Sequence, residues 1–361
     1  MIVLVGSGLT GLGLDWAIHV AMWLLAAGSV ITVFQRVLAV RNSPGARELL
    51  PIARRRLRRP RRIPETGSSR ERRGPGMNTA ERVSDLGYAA GWRLVRLLPE
   101  RVATKLFDAG ADFASRRNGG PNQLRRNLSR VLGVPPGQVP DGLIKASVRS
   151  YARYWRESFR LPSMDLDATA ASIDSAVEGR EHIEAALAAG RGVVLALPHS
   201  GNWDMAGVWC VRTYGGLSTV AERLRPESLF RRFVEYREGL GFEVFPLSGG
   251  ESPPFVELSA RLRDNKVVCL LGERDLARKG VPVTFMGEPT RMPAGPAKLA
   301  IETNAALLPV HCWFTDDGWG FRVHPEIDVS DGIASATQHL ADRFAADIAE
   351  HPADWHMLQP L

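Results

Sequence analysis

The sequence predicts an α/β fold in which a central mixed β-sheet is flanked by helices, preceded by an N-terminal candidate transmembrane helix. Three observations lead to this prediction: an apolar stretch near residue 20, a mostly helical pattern over residues 81–160, and short apolar runs that alternate with helical stretches from residue 192 onward. Such alternation is typical of a sheet covered by helices. The expected strands are Val193–Leu197, Ser218–Ala221, Glu243–Leu247, Val267–Leu271 and Leu307–Trp313, with Ser228–Leu240 and Pro254–Asp264 among the helices between them.

The apolar stretch near the start has the length of a membrane span. Between Trp16 and Phe34 there are nineteen residues, and His19 is the only strongly polar one. A helix of about 20 residues crosses a bilayer core of about 30 Å. The first eight residues carry no basic side chain, which argues against a cleavable signal peptide. Residues 1–40 are therefore predicted to contain a transmembrane helix.

The basic charge of the chain is concentrated in one short segment. The net charge is +7, but residues 41–76 hold twelve arginines and three glutamates, a net of +9, and residues 1–40 are neutral. Residues 77–361 therefore carry −2, and no basic folded face for nucleic acid is expected. Residues 41–76 are predicted to be an Arg-rich disordered linker. By the positive-inside bias, it places the following domain at the cytoplasmic face of the cell membrane.

Two patterns that often indicate cofactors do not form a predicted site. Cys210, Cys269 and Cys312 are far apart and lack the spacing of metal ligands. Residues 6–11 match the dinucleotide pattern GxGxxG, but Gln35 stands where a ribose-binding acid is wanted, and the Arg-rich linker follows in place of a nucleotide domain. We therefore expect no metal and no tightly bound cofactor.

The segment after the first expected strand carries the strongest chemical signal. The strand ends at Pro198, His199 follows at once, and Asp204 comes five residues later in the sequence HSGNWD. Imidazole suits a general base because its pKa lies near neutral pH, and an acid one turn on can hold its second ring nitrogen. Asn202 is expected to bond to the substrate or to the loop. Taken alone, this spacing also fits a loop histidine without a catalytic role.

HSGNWD resembles the first sequence block of the lysophospholipid and lipid A acyltransferase superfamily, in which the histidine is the base and the acid is its partner. Later segments resemble the following blocks in order, so residues 77–361 are assigned as an acyltransferase domain with a glycerolipid acyltransferase-like fold. Within the superfamily the resemblance is strongest to actinobacterial phosphatidylinositol mannoside acyltransferases. The matching segments are 221–226, 231–232, 236–241, 272–275, 278–280, 282–287, 293–300, 308–310 and 351–355.

The resemblance implies transfer of a long-chain acyl group from acyl-CoA, a co-substrate, to a mannose hydroxyl of a phosphatidylinositol mannoside at the inner leaflet. Because no GxSxG elbow is present, direct attack without an acyl-enzyme is expected. The alternatives are a lysophospholipid or lipid A-type acceptor, an acyl carrier protein donor, or a non-catalytic membrane-anchored lipid-binding protein. Asp204 stands where many lipid A relatives carry Glu, which disfavours a lipid A acceptor.

The resemblance also implies roles for residues in the later blocks. Glu273 is expected to touch the acceptor hydroxyl or to steady His199, or else to pair with its neighbour Arg274, itself part of the expected substrate-binding set. Arg237 and Lys279 are candidates for phosphate groups of coenzyme A or of the acceptor, because fixed cations pair well with phosphate oxygens. Alternatively, Arg237 lies on a solvated helix face and Lys279 is a charged residue of a loop, and neither binds substrate.

Two glutamates complete the expected substrate-binding set. Glu222 follows a strand and could pair with Arg237. Glu302 would lie near the donor loop, or would instead form an exposed pair with Lys298 at i,i+4.

The helical region before the sheet has its own signals. Its breaks are expected at residues 118–121 and 134–137, and an aromatic stripe should face the core or a membrane. An amphipathic entrance helix is expected to hold the domain at a lipid surface. The stripe is Tyr151, Tyr154, Trp155 and Phe159; the entrance helix has Leu86, Ala90, Leu94 and Leu97 on one side, with Trp92, Arg93 and Arg96 at the lipid.

Residues 1–45 resemble a different family. The stretch at 29–46 is similar to the end of the last transmembrane helix and the tail of a CDP-alcohol phosphatidyltransferase of the phosphatidylinositol-phosphate synthase kind, without that family's catalytic motif. Met77 then opens a stretch that reads as a fresh protein start. Residues 1–76 are thus expected to be a fusion remnant or the result of a start codon chosen too far upstream.

Overall fold

The computed structural model describes residues 91–116, 120–223, 227–250, 252–275 and 279–361. The predicted transmembrane helix, the Arg-rich linker and the start of the entrance helix lie outside these residues. The chain divides into two compact units, and the labelled helices and strands belong to the second, Trp92–Leu361. Within the described part of the chain, no helix has both the length and the apolar character needed to cross a bilayer.

The described elements alternate as the sequence predicts. Residues 92–97 are helical. The labelled helices are α1 Glu100–Arg116, α2 Asn122–Leu132, α3 Asp141–Arg160, α4 Leu166–Asp174, α5 Arg180–Ala188, α6 Trp203–Tyr214, α7 Glu227–Glu238, α8 Pro254–Arg263, α9 Gly295–Thr303 and α10 Gly332–Glu350. The strands are β1 Val177–Glu178, β2 Val193–Leu197, β3 Leu217–Ala221, β4 Phe242–Pro246, β5 Val267–Leu271, β6 Val281–Phe285, β7 Glu288–Met292, β8 Ala306–Phe314 and β9 Trp319–Val323.

Seven of these strands form one mixed sheet in the order β1-β9-β8-β2-β5-β3-β4. Its pairs are parallel except for β8 and β9, which run antiparallel. Strands β6 and β7 form a separate antiparallel hairpin. The predicted mixed sheet with flanking helices is confirmed, and all five expected strands are present with ends shifted by at most one residue.

The sheet has apolar layers on both faces. Alternate residues of β2 point to opposite sides: Leu195 and Leu197 pack in a cluster with α4, α5 and α6, whereas Val194 and Ala196 pack with α8, α9 and α10. Strand β2 is buried along its whole length for this reason. A strand covered on both faces reads as a continuous apolar run, which is why the sequence located it so well.

The helical region follows the prediction in part. Breaks separate α1 from α2 and α2 from α3 near the expected positions. The lipid-facing position predicted for Trp92 is wrong, because its ring packs 5.5 Å from Phe159 and 5.8 Å from Tyr236. Arg96 likewise turns inward and donates from Nε to the carbonyl of Phe159 at 2.9 Å. Trp92 packs inward because contact of its large ring with the aromatic side chains of α3 and α7 stabilises the fold.

The register of β2 and β5 determines where the chemistry lies. Leu197 pairs with Leu271 at the carboxyl ends of these parallel neighbours. Residues that follow the two strands therefore emerge side by side at one edge, which is where open sheets of this kind place their functional groups.

Candidate active site

His199 and Glu273 meet at this edge of the sheet. The imidazole Nδ1 of His199 lies 2.8 Å from Oε1 of Glu273, and the His199 backbone N–H donates to the same oxygen at 2.6 Å. Because a carboxylate accepts hydrogen bonds, Nδ1 carries the ring proton and Nε2 keeps its lone pair. The imidazole is 27% exposed, whereas Glu273 is fully buried. This arrangement leaves one basic nitrogen accessible from outside the protein.

The environment of Glu273 favours its charged form. Burial by itself raises the pKa of this carboxyl, but the charge of His199 in its protonated form and the hydrogen bonds from its ring and backbone outweigh burial and hold the pKa below its usual range. Within the described residues, the second oxygen, Oε2, has no hydrogen-bond partner. A buried carboxylate that orients an imidazole in this way can stabilise the imidazolium that forms when Nε2 takes a proton.

The predicted contact between Asp204 and the imidazole is wrong. Asp204 is buried in the first turn of α6, where Oδ1 accepts from Arg237 Nε at 3.1 Å and Oδ2 accepts from the Tyr154 hydroxyl at 3.1 Å. Burial raises the pKa of Tyr154, which keeps this hydroxyl protonated as a donor. The HxxxxD spacing thus directs Asp204 towards α3 and α7, while Glu273 takes the place beside the ring.

Asn202 and Glu157 hold the loop beneath His199. Asn202 Oδ1 accepts from the Met205 N–H at 3.2 Å and caps α6, and its Nδ2 donates to Oε2 of Glu157 at 2.8 Å. Trp319 Nε1 donates to the same oxygen at 2.8 Å, and Arg153 Nε donates to Oε1 at 2.7 Å. Of the two expected partners of Asn202, substrate or loop, the structure shows the loop. Glu157 was not among the predicted site residues, because it lies 45 positions earlier, on another helix.

The C-terminal segment forms the other wall of this loop. The Gly201 N–H donates to the carbonyl of Asp354 at 2.9 Å, and the His356 N–H donates to the carbonyl of His199 at 2.7 Å. Gly201 has a φ of +55°, and a Cβ there would lie 2.6 Å from the backbone carbon of Cys312. Only glycine fits this turn, so the loop packs directly against the backbone of β8.

A buried polar cluster anchors residues 354–356 to α3. The Ser150 hydroxyl donates to Oδ1 of Asp354 at 2.6 Å and lies 2.8 Å from Nε2 of His356. Burial, with a smaller effect from the charge of His199, lowers the pKa of His356 to about 3, so its ring is neutral at neutral pH. Residues 351–355 were predicted only as part of a family sequence block, and the contact with His199 was not predicted.

The remaining predicted residues divide into paired and exposed groups. Glu222 does not pair with Arg237 as expected; it lies 4.0 Å from Arg274, and Arg237 pairs with Asp204. Glu302 lies 3.6 Å from Lys298, which is the exposed pair weighed against its donor-loop role. Lys279 is exposed.

An apolar cavity lies between the sheet and α6, within the core that supports His199. Its walls include Leu195 and Leu197 from β2, Ala206 and Cys210 from α6, and Cys269 from β5. Burial raises the pKa of the Cys269 thiol to about 12, so this wall carries no charge at neutral pH. At about 30 Å³ the cavity has room for one or two water molecules, not for a fatty acyl chain.

An imidazole oriented by a buried carboxylate, with one nitrogen facing outward, is an arrangement that general-base hydrolases and transferases use. The family of bacterial lipid A biosynthesis acyltransferases matches residues 77–361. The chain belongs to this family, and the acyltransferase class predicted from the sequence is confirmed.

Individual relatives cover most of the chain. It is 68% identical over 279 residues to the phosphatidylinositol mannoside acyltransferase of Mycolicibacterium smegmatis, covering 77% of this chain and 91% of the relative. It is 62% identical over 287 residues to the phosphatidylinositol mannoside acyltransferase of Mycobacterium tuberculosis, covering 79% of this chain and 90% of the relative. These similarities confirm the resemblance predicted from the acyltransferase blocks.

A separate, short similarity links the chain to another enzyme. Over 53 residues it is 58% identical to the phosphatidylinositol phosphate synthase of Mycolicibacterium smegmatis, covering 14% of this chain and 24% of the relative. The predicted resemblance to the phosphatidylinositol-phosphate synthase kind of enzyme is therefore confirmed for this short part of the chain.

Proposed function

We propose that this protein transfers a long-chain fatty acyl group from acyl-CoA to a mannose hydroxyl of a phosphatidylinositol mannoside, with His199 as general base. The relatives named above support the acceptor. The observation that carries the mechanism is the hydrogen bond between His199 Nδ1 and Glu273, because it leaves Nε2 basic and open.

The reaction then proceeds by direct attack. Nε2 takes the proton of the mannose hydroxyl while its oxygen attacks the thioester carbonyl, and Glu273 stabilises the imidazolium that results. The tetrahedral intermediate collapses, the bond from carbon to sulfur breaks, and the imidazolium returns its proton to the leaving thiolate. General-base assistance of this kind contributes about 10²–10⁴ in rate. No protein nucleophile takes part.

Binding of the polar substrate groups is assigned to cations. The part-buried Arg274 and the exposed Lys279 are assigned to phosphate and sugar groups, because guanidinium and ammonium groups bind anionic oxygens. Arg237, the third predicted cation, is held by Asp204 at 3.1 Å.

The membrane position is proposed from the surface of the first helices. Leu97 is 80% exposed and Phe113 is 63% exposed, and the basic residues Arg93, Arg101 and Lys105 are exposed on the same segment. Exposed apolar side chains among cations suit the interface of an anionic bilayer. We therefore place the domain at the cytoplasmic face of the cell membrane, attached there by these helices.

The test is mass spectrometry of products formed from phosphatidylinositol mannosides and a mixture of acyl-CoAs. An acylated mannoside with release of free coenzyme A supports the proposal. Parallel reactions with a lysophospholipid acceptor or an acyl carrier protein donor separate the alternatives. Product formed only with a lysophospholipid would overturn the acceptor assignment, and lipid binding without thiol release would favour a non-catalytic role.

A further inference from the structure

We propose that His311, His351 and Glu350 form a binding site for a divalent transition-metal ion of the zinc type, separate from the His199 site. One potential ligand atom from each residue lies within 4.8 Å of the others. His311 belongs to β8, Glu350 ends α10, and His351 follows it. The site would therefore join the sheet to the end of the last helix.

The buried histidine is the first independent observation. His311 is fully buried, and neither ring nitrogen has a hydrogen-bond partner within the described residues. The nearest carboxylate oxygen, Oδ1 of Asp347, is 4.0 Å from Nδ1, and Asp347 accepts from His324 Nε2 at 2.9 Å. A buried polar group without a partner costs free energy. An ion coordinated by one nitrogen would supply that partner.

The second histidine is already oriented towards the same place. The ring of His351 stacks on Trp313 with centroids 4.9 Å apart and planes 3° from parallel, and its centroid is 5.2 Å from that of His311. Its Nε2 lies 3.7 Å from Oε1 of Glu350, which is too long for a hydrogen bond. The stacking fixes the ring plane, so a small movement brings nitrogen and oxygen to a common ion.

Glu350 is held so that one oxygen remains available. Its Oε2 accepts from Arg322 Nη1 at 2.8 Å, whereas Oε1 is 3.4 Å from Nη2. The better-bonded oxygen can stay with Arg322 while Oε1 binds the ion. Arg322 thus has the place of an outer-sphere partner, which in metal sites orients a ligating carboxylate.

The donor set favours zinc over the hard cations. Two imidazole nitrogens and one carboxylate oxygen are typical zinc ligands, and three protein ligands leave a fourth position for water. Mg²⁺ and Ca²⁺ prefer sets made of oxygen alone. Burial lowers the pKa of His311 to about 4, so this ring is neutral at neutral pH, the form in which imidazole binds metal.

The position gives the ion a structural role. His351 leads directly into the turn Pro352–Asp354, and the Asp354 carbonyl accepts from the Gly201 N–H at 2.9 Å. An ion at this site would fasten the end of α10 to β8 immediately before the tail reaches the loop of His199. It takes no part in acyl transfer, so the inference stands independently of the proposed function.

The test is metal binding by the full chain without an affinity tag, after treatment with EDTA and dialysis. Calorimetric titration with ZnCl₂ should give one saturable site, and Zn²⁺ but not Mg²⁺ should raise the melting temperature. His351→Gln should weaken Zn²⁺ binding by at least about tenfold. His339→Gln is the matched control, because His339 is exposed on α10 outside the cluster and its loss should leave binding unchanged.

A second pair of variants separates the carboxylate ligand from its ion pair. Glu178 and Glu350 both bond to Arg322, so Glu178→Gln and Glu350→Gln each remove one carboxylate from that arginine. Only Glu350→Gln should weaken Zn²⁺ binding, with circular dichroism checking that each variant is folded. Absence of saturable Zn²⁺ binding, or equal affinity in His351→Gln and His339→Gln, would overturn the proposal.

Discussion

Glu273 holds Nδ1 of His199 at 2.8 Å although 74 positions of the chain separate the two residues. The carboxylate is buried, receives the backbone N–H of the same histidine, and stands beside it because the strands before them are neighbours. One oxygen therefore fixes both the position of the loop and the tautomer of the ring.

His199→Ala should lower turnover by about 10²–10⁴, because the variant lacks the nitrogen that takes the hydroxyl proton. The side chain is part-exposed, so we expect folding to be preserved. Release of coenzyme A thiol from palmitoyl-CoA with acceptor lipid measures the rate, and the melting temperature serves as control. A folded variant with near-normal thiol release would contradict the mechanism.

Glu273→Gln tests the partner of the base. The amide has the shape of the carboxylate and can still accept from Nδ1, but it cannot stabilise an imidazolium by charge. We expect a large fall in kcat with a smaller change in KM, because the lost interaction strengthens only as the proton is transferred. Equal effects on both constants, or none, would indicate that Glu273 serves only to hold the loop.

Asp204→Asn should act mainly through the buried pair with Arg237. Loss of the charge leaves the guanidinium, whose pKa the Asp204 charge raises against the effect of burial, without its counter-ion. We expect a loss of about 1–3 kcal/mol in unfolding free energy and a smaller effect on kcat than Glu273→Gln. Urea denaturation measures the first and thiol release the second. A kcat loss exceeding that of Glu273→Gln would contradict this assignment.

The control for this prediction is the double variant Asp204→Asn with Arg237→Gln. Because the two residues are in contact, their effects on stability should be less than additive. Full additivity would mean that the pair does not act as a unit.

His356 should make stability depend on pH. Its folded pKa of about 3 lies below the ordinary 6.5, so below pH 6.5 the unfolded chain binds a proton that the folded chain does not. Stability from this residue is complete above pH 6.5 and is lost as pH falls towards 3, by up to about 1.4 kcal/mol per pH unit. His356→Gln should reduce this slope in urea unfolding between about pH 7 and 5, whereas the exposed His339→Gln should not.

A chain that begins at Met77 should keep full specific activity and remain partly membrane-bound. The acyltransferase family matches residues 77–361, and every residue of the His199 site lies after that start. Thiol release and sedimentation with vesicles that contain anionic lipid measure the two properties. Loss of activity in this shorter chain, while the full chain stays active, would show that residues 1–76 take part in catalysis.

The sequence singled out His199 and offered two acids for its ring, Asp204 from the spacing and Glu273 from the family resemblance. His199 was identified because it follows a continuous apolar strand, and such strands are visible in a single sequence. Asp204 was expected beside the ring because it is near in the chain, whereas Glu273 is near in space through the pairing of Leu197 with Leu271. Strand order and register depend on tertiary packing, and no local pattern encodes them.

The same limit applies to the elements that were not predicted. Strand β1 has two residues, and the β6–β7 hairpin has several exposed positions, so neither produces an apolar run. Strand β9 was expected neither as a strand nor as the antiparallel neighbour of β8. Glu157 carries no signal of its own, because its role depends on contacts with Asn202 and Trp319 from distant parts of the chain.

The contacts of Asp354 and His356 with the loop of His199 have a consequence for truncation. A chain cut short before residue 352 retains His199 and Glu273 but loses the two backbone hydrogen bonds that form the second wall of their loop. We expect such a chain to lack acyltransferase activity, so possession of both side chains is not enough for the reaction.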